Sequence, residues 1–160
     1  MKPILLATDG SPSALEATRE AIELASLLHA PLVAIAVEHV NVPTYGYYGY
    51  AEVYSELRKS EHDHAHQVLE EVKTKCEEAG IGCTAIAAEG PVVDEICRIA
   101  RERDAAMIVV GAHGWGAIRR LVFGSVSLGV LHEAPCPVLV ARGIAPGETT
   151  WVDEVEAASV

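Results

Sequence analysis

The chain has 160 residues, half of them hydrophobic, and is therefore the size of one domain with a substantial buried core. Its 12 basic and 23 acidic side chains give a net charge of −11. Because nucleic acids and anionic membranes bind proteins mainly through Lys and Arg, neither is an expected partner.

Strands and helices are predicted in strict alternation along the chain. Continuous apolar runs predict the strands, and apolar residues at helical spacing between Gly and Pro boundaries predict the helices. The predicted strands are Ile4 to Ala7, Leu32 to Val37, Cys83 to Ala88, Ala105 to Val110 and Pro137 to Ala141. The predicted helices are one from Pro12 to about Leu28, then Ala51 to Ala79, Val92 to Arg103 and Gly124 to His132. Val40 to Tyr50 is predicted to be a loop.

Three of these helices carry an apolar stripe. Ser11 is a plausible N-cap for the first helix, with Pro12 in its first helical position. The stripes consist of Leu15, Ile22, Leu24, Ala25 and Leu28 in the first helix, Val68, Leu69 and Val72 in the second, and Val93, Ile96, Ile99 and Ala100 in the third.

Five apolar strands separated by helices predict an α/β fold with an open, doubly wound parallel sheet and helices on both faces. In such sheets ligands bind beyond the carboxyl ends of the strands, where the strand order reverses. The residues at these ends are Thr8, Asp9, Val37, Glu38 and Gly111 with those that follow it.

The segment GAHGWGAIRRLVFGSVS, residues 111–127, follows the fourth strand. Gly111 and Gly114 permit a tight turn and a close approach of backbone to ligand. Gly124 opens a helix whose first N–H groups have no partner within the helix and attract anions. Hydroxyl donors and positive charges are also available, from Ser125, Ser127, Arg119 and Arg120. The segment therefore predicts a polyphosphate site.

The spacing is neither the P-loop GxxxxGK[ST] nor the dinucleotide GxGxxG, but it fits GxxGx(9)G[ST]. With this motif, ILLATDGS near the N-terminus and APCPVLVAR near residue 140, the chain resembles the universal stress proteins over about residues 2 to 142. We therefore interpret residues 1–142 as one nucleotide-binding domain of that type and residues 143–160 as an acidic C-terminal tail.

The resemblance implies the ATP-binding branch of that family, with ATP and Mg²⁺ as ligands, strand order 3-2-1-4-5 and a homodimer. It also implies roles for individual residues. Asp9 would meet the ribose hydroxyls, Ala7 and Thr8 would line the adenosine, and the backbone of Val37 would read the adenine edge. The residues around the phosphates would be Gly111, His113, Gly114, Gly124, Ser125, Val126 and Ser127.

Two functions are compatible with these residues. The favoured one is an ATP-binding stress-response or regulatory protein with little or no turnover, and the alternative is a slow ATPase or phosphotransferase. An enzyme needs a base and metal ligands near the γ-phosphate, and only His113 offers a candidate base. A third possibility is a scaffold that carries the motif but holds no nucleotide.

A dimer is expected through the fifth strand, Pro137 to Ala141, because in the implied order it is an apolar edge strand. His62 and His66 are one helical turn apart and are possible metal ligands, yet spacing fixes no third ligand, so a solvated helix face is favoured for them and for His64. The roles of Trp115 and of the tyrosines at positions 45–54 stay open.

The four cysteines, Cys76, Cys83, Cys97 and Cys136, form no CxxC pair. Scattered thiols are typical of a reducing compartment rather than of a disulfide framework or a zinc site. The apolar run at the N-terminus is too short for a signal peptide, and no segment approaches the ~20 apolar residues that span a bilayer. We therefore expect a cytoplasmic protein.

Overall fold

The chain folds into an open sheet of five parallel strands covered by helices, as seen in a computed structural model that describes residues 1–38, 51–114 and 123–142, with the backbone alone for 51–54. The elements are β1 Ile4–Ala7, α1 Pro12–Leu28, β2 Leu32–Glu38, α2 Ala51–Glu78, β3 Cys83–Glu89, α3 Val92–Glu102, β4 Met107–Gly111, α4 Ser125–Glu133 and β5 Val138–Ala141. The strand order is β3-β2-β1-β4-β5. The predicted fold class and strand order are confirmed.

Apolar side chains cover both faces of the sheet. Along β1, Ile4 and Leu6 face the side of α1 and α2, whereas Leu5 faces the side of α3 and α4. All three are fully buried. This two-sided burial explains why the strands appear in the sequence as continuous apolar runs rather than as an alternation of apolar and polar residues.

Helix α1 is held against the sheet by small side chains. Its buried residues are Ala14, Ala17, Thr18, Ala21 and Ala25. The predicted stripe is wrong at Leu15 and Leu28, which are exposed, while Ile22 and Leu24 pack at the margin of the core. Alanine permits a close approach of helix to sheet, so the buried face is centred on the alanines instead of the leucines. The predicted stripes of α2 and α3 do face the core.

The predicted bounds shift where the local chemistry decides them. Strand β5 begins at Val138 rather than Pro137, because proline has no N–H to donate to the ladder. Strand β4 begins at Met107 rather than Ala105 and extends to Gly111. Ser11 caps α1 as predicted, since its side chain accepts a hydrogen bond from the Ala14 N–H. The predicted loop Val40 to Tyr50 and the predicted tail 143–160 lie outside the described residues, with Arg142 as the last described position.

The carboxyl ends of the strands meet at one edge of the sheet. The last paired residue of β1, Ala7, lies beside Ile35 of β2 and Val110 of β4. Strand order reverses between β1 and β4, because the chain adds β2 and β3 on one side and β4 and β5 on the other. The carboxyl ends of β1, β2 and β4 therefore lie next to one another at the switch point.

Candidate functional site

A cleft of about 490 Å³ opens at this switch point. Its described lining consists of Ala7, Thr8, Asp9, Ala14, Ile35, Val37, Glu61, Val92, Ile96, Val110, Gly111, His113, Gly114, Gly124, Ser125, Val126 and Ser127. The structure thus brings all eleven residues that the sequence predicted for a ligand site into one lining.

The turn after β1 fixes the position of Asp9. One carboxylate oxygen of Asp9 accepts a hydrogen bond of 2.9 Å from the Ser11 N–H, and its backbone oxygen lies 2.9 Å from Nε2 of His64 on α2. Gly10 follows with φ +73°, and a β-carbon there would lie 2.7 Å from a methyl group of Val68. The turn is therefore held between the start of α1 and the side of α2, with the Asp9 side chain exposed at the cleft.

The segment after β4 is held to the first turn of α1 through serine hydroxyls. The His113 N–H donates to Ser13 Oγ at 3.1 Å, and Ser11 Oγ donates to the His113 carbonyl at 3.2 Å. Ser13 Oγ also contacts the His113 carbonyl oxygen. The sequence prediction missed Ser13, although the Ser-Pro-Ser segment that directly follows the β1 turn could have indicated it.

Two glycines of the motif meet different neighbours. A β-carbon on Gly111 would lie 2.7 Å from the Ser13 carbonyl carbon and 2.8 Å from the Ala14 nitrogen, so Gly111 allows α1 to pack against the end of β4. A β-carbon on Gly114 would lie 2.8 Å from Oδ2 of Asp9. The missing side chain thus allows a close contact with α1 at Gly111 and with the cleft carboxylate at Gly114, whereas the close approach to a ligand stays a prediction for both.

Helix α4 directs its N-terminus into the cleft. Gly124 is its N-cap, without a side-chain capping bond from the described residues, and the first hydrogen bond within the helix runs from the Leu128 N–H to the Gly124 carbonyl. Helix geometry therefore leaves the N–H groups of Ser125, Val126 and Ser127 without acceptors inside the helix. Such a terminus carries partial positive charge and favours anions.

Ser127 anchors this helix to the end of β4. Its hydroxyl is buried and lies within donating distance of the Ala112 carbonyl at 3.0 Å and of the Gly124 carbonyl at 2.9 Å. The Gly124 N–H also donates to the Ala112 carbonyl, at 2.7 Å. The Ser127 hydroxyl therefore has backbone acceptors of its own, whereas Ser125 is exposed at the mouth of the cleft.

The other side of the cleft is apolar. Ile35 and Val37 of β2, Val110 of β4 and Val92 and Ile96 of α3 form this side, and four of them were absent from the predicted site. Only Val37 was predicted there. The signal that could have found the others is position. Ile35 lies where the pairing with β1 ends, Val110 is next to the last residue of β4, and Val92 and Ile96 lie in the first turns of α3.

The backbone of Val37 faces the cleft. The Ile35 carbonyl accepts a hydrogen bond from the Thr8 N–H on the β1 side, and the Glu38 carbonyl accepts one from the Gly90 N–H on the β3 side. Because peptide groups alternate sides along a strand, the N–H and C=O of Val37 point to the β1 side, as those of Ile35 do. The pairing of β1 with β2 ends at Ala7 and Ile35, so these two groups lie beyond it.

Residues 1–142 match the model of the universal stress protein family. The chain belongs to the universal stress protein family. It is 37% identical over 145 residues to a universal stress protein of Methanocaldococcus jannaschii, covering 88% of this chain and 82% of the relative. It is 31% identical over 144 residues to one from Bacillus subtilis, covering 87% and 97% of the two chains.

Solved structures of universal stress proteins share this fold. UspA from Lactobacillus plantarum is similar with a TM-score of 0.79 and 27% identity, covering 88% of this chain and 97% of that one. A family member from Arabidopsis thaliana, solved with AMP bound, is similar with a TM-score of 0.67 and 24% identity over 92% and 97% of the two chains. At that identity the likeness shows the fold alone.

Several residues singled out in the sequence lie beyond the described part of the chain. Trp115, Arg119, Arg120 and the tyrosines at 45, 47, 48 and 50 lie outside the described residues. Among the described lining residues the charged side chains are the carboxylates Asp9 and Glu61. In the described lining, the groups that can attract an anion are therefore backbone N–H groups, above all those at the N-terminus of α4.

The four cysteines are free thiols, and Cys76 and Cys97 are buried. The Cys76 thiol hydrogen-bonds the sulfur of Cys83, which raises the pKa of Cys76 and lowers the pKa of Cys83. Burial raises the pKa of both Cys97 and Cys136.

Among the residues that the structure describes, no helix combines the length and apolar character required to cross a membrane.

Proposed function

We propose that this universal stress protein binds an adenine nucleotide, with ATP as the expected ligand, as a member of the ATP-binding branch of the family. The observation that carries this proposal is the cleft itself: an apolar side, a carboxylate and a helix N-terminus line one cavity of about 490 Å³. A nucleotide has a planar base, a ribose with hydroxyl groups and phosphates, which require these three kinds of surface.

The base would lie on the apolar side, between the ends of β2 and β4 and the start of α3. Its edge would pair with the N–H and C=O of Val37, which face this side beyond the end of the β1 pairing. A strand backbone offers one donor and one acceptor side by side, which suits the acceptor and donor on the edge of adenine. Ala7 and Thr8 would contact the nucleoside from β1.

The ribose and phosphates would follow toward α4. Asp9 would accept hydrogen bonds from the ribose hydroxyls, since one oxygen is already oriented by the Ser11 N–H. The phosphates would lie against the backbone of Gly111, His113, Gly114 and Gly124 and the N–H groups of Ser125, Val126 and Ser127. The dipole of α4 would favour their negative charge.

Mg²⁺ would enter as the counter-ion of the phosphates. It retains several waters and binds through one or two carboxylates together with phosphate oxygens, and the described lining offers Asp9 and Glu61 as carboxylates. Its chemistry here would be to neutralise phosphate charge.

We propose a binding and regulatory role in the stress response rather than efficient catalysis. The slow ATPase or phosphotransferase alternative needs a positioned base, and His113 is the one imidazole in the described lining. Its backbone is held by Ser11 and Ser13, but within the described part of the chain no hydrogen bond or ion pair orients its ring toward a reacting group. We further propose that residues 1–142 form the nucleotide-binding domain with 143–160 as a tail, that the protein acts in the cytoplasm, and that it forms a homodimer through β5.

The decisive experiment is to denature freshly purified protein and identify any released nucleotide by chromatography and mass spectrometry, with calorimetric titration of ATP, ADP and AMP into nucleotide-free protein. Release of an adenine nucleotide, or saturable binding of one, would support the proposal. Protein that is folded by circular dichroism yet releases none and binds none would be an empty scaffold and would overturn it.

A further inference from the structure

Three potential metal ligands meet beside the cleft, at the end of β2. One ligand atom each of Glu38, His62 and His66 lies within 4.8 Å of the other two. We propose that these residues bind a first-row transition-metal ion of the Zn²⁺ type. The proposal does not depend on the proposed function, because none of the three residues belongs to the described lining of the cleft.

The two histidines are presented by the same face of α2. They are four residues apart in the helix, and their ring centroids are 4.3 Å apart. Ala65 and Leu69, which flank them on this face, are buried against the sheet. Packing of α2 therefore fixes the backbone beneath both rings, so that binding a metal would order side chains alone.

The third ligand comes from the sheet. Glu38 is the last residue of β2, with its carbonyl bonded to the Gly90 N–H, and its side chain is 12% exposed. One of its carboxylate oxygens lies 2.9 Å from Nδ1 of His62. The sequence favoured a solvated face for His62 and His66 because it fixed no third ligand, and the packing of α2 on β2 supplies one.

The donor set identifies the class of metal. Two imidazole nitrogens and one carboxylate oxygen are a known three-ligand set for Zn²⁺, with a fourth position left for water, whereas Mg²⁺ and Ca²⁺ prefer oxygen ligands alone. Bonds of about 2.0–2.2 Å place ligand atoms within ~4 Å of one another, so the present spacing needs only small side-chain rotations.

The surrounding charges also favour a cation. Glu89 lies beside Glu38 in the sheet register, and Nη2 of Arg58 donates to both of its carboxylate oxygens, at 2.9 and 2.8 Å. Arg58 is thus already paired with Glu89 and does not neutralise the Glu38 carboxylate in place of a metal ion. The net charge of −11 attracts cations to the protein as a whole.

The site would connect α2 to β2 at the rim of the cleft. The residues next to two of the ligands, Val37 and Glu61, line the cleft. A metal bound by Glu38, His62 and His66 would therefore fix the distance between these two parts of the cleft wall.

The test is metal binding by the full chain after dialysis against a chelator. Zn²⁺ affinity is measured by competition with a chromophoric indicator, and Co²⁺ is titrated separately to detect the visible absorption of a tetrahedral site. His66→Ala and Glu38→Gln are compared with His132→Ala, which removes an exposed histidine from α4. Loss of a residue that only hydrogen-bonds a metal ligand costs about 10–100-fold in metal affinity. Loss of a ligand itself should therefore weaken Zn²⁺ binding at least about tenfold.

We expect one ion per chain in the unaltered protein and in His132→Ala, with the loss confined to the variants at the site. Thermal unfolding without metal verifies that each variant is folded, and added Zn²⁺ should raise the melting temperature of the unaltered protein but not of His66→Ala. Absence of Zn²⁺ binding in the unaltered protein would overturn the proposal. Equal affinity in His66→Ala and His132→Ala would overturn it too, because the bound ion would then be held elsewhere.

Discussion

The α-carbon of Gly111 lies so close to Ser13 that a β-carbon on Gly111 would be 2.7 Å from both the carbonyl carbon and the hydroxyl of Ser13. The same serine accepts the His113 N–H, two residues further along the chain. The end of β4 and the first turn of α1 therefore support each other directly under the cleft.

We predict that Gly111→Ala destabilises the fold. The new methyl group would meet the backbone of α1, which cannot rotate away, so the helix must shift, and such overpacking typically costs about 1–3 kcal/mol. Urea denaturation measures the free energy of unfolding. Gly82→Ala is the matched control, because a β-carbon there has no neighbour within 4 Å. Equal stability of the two variants would show that α1 does not pack tightly on Gly111.

Gly114→Ala should have the opposite profile: little effect on stability and a clear loss of nucleotide affinity. Its β-carbon would meet Oδ2 of Asp9 at 2.8 Å, and this exposed side chain can rotate away, which costs its hydrogen bond from the Ser11 N–H but moves no backbone. The carboxylate would then leave the position proposed for the ribose. Loss of a charged hydrogen bond costs about 1.5–3 kcal/mol, or roughly 10–100-fold in affinity, measured by calorimetry with ATP. Unchanged affinity would contradict the role proposed for Asp9.

Gly111 and Glu38 illustrate which contacts could not be predicted from the sequence. The apolar runs and the Gly and Pro boundaries were sufficient for the α/β class and for nearly every element, because burial on both faces of a parallel sheet produces that pattern. The glycine motif, the strand ends and the family resemblance together named eleven of the residues that line the cleft. The sequence could not show that Gly111 contacts α1, since that contact joins residues about a hundred positions apart.

Glu38 was equally hidden as a third metal ligand, because its contact with His62 spans 24 positions and depends on how α2 packs on β2. In α1, spacing alone favoured Leu15, yet the alanines are the buried face. In both cases the missing information was the distance between an element and its neighbour, which a local pattern does not contain.

Cys83 should be the first of the four cysteines to be alkylated by iodoacetamide. The Cys76 thiol donates to its sulfur and Lys73 is nearby, so the pKa of Cys83 is lowered and more thiolate, the reactive form, is present at a given pH. The other three cysteines have raised pKa values. Peptide mapping by mass spectrometry across about pH 7–9, spanning ordinary thiol ionisation, gives the order of labelling.

Removal of the donor tests the cause. In Cys76→Ala the pKa of Cys83 should rise, so that its labelling becomes slower at the same pH, whereas Cys97→Ala on the opposite face of the sheet should leave it unchanged. Faster labelling of Cys83 in Cys76→Ala would mean that access, and not ionisation, limits its reaction.

Turnover of ATP should be far slower than the ~1–100 s⁻¹ of kinases. The described lining supplies carboxylates at Asp9 and Glu61 and one imidazole at His113, but no lysine or arginine that could stabilise the charge of phosphoryl transfer. A phosphate-release assay measures the rate in the unaltered protein and in His113→Ala, which should be equally slow. A rate within the kinase range that is lost in His113→Ala would favour the enzyme instead.

A homodimer through β5 is the last expectation. Strand β5 is an outer strand of the sheet, paired in the described structure with β4. The carbonyls of Pro137 and Ala141 accept hydrogen bonds from β4, so by alternation the N–H groups of Val138 and Val140 point to the open edge. An apolar edge strand of this kind favours pairing with a second copy across a twofold axis.

Val140→Pro tests this edge selectively, because it removes an N–H that points away from β4 and leaves the ladder within the subunit intact. Leu139→Lys would place a charge in the same strand, but Leu139 also packs against the core of its own subunit, so thermal unfolding must show that this variant is folded. Leu27→Lys, at an exposed position on α1, controls for the added charge alone. We expect Val140→Pro and Leu139→Lys to weaken the dimer and Leu27→Lys to preserve it, as measured by light scattering at micromolar concentration. A mass near the 17.0 kDa of one chain for the unaltered protein would exclude the dimer, and a dimer that withstands both changes in β5 must use another surface.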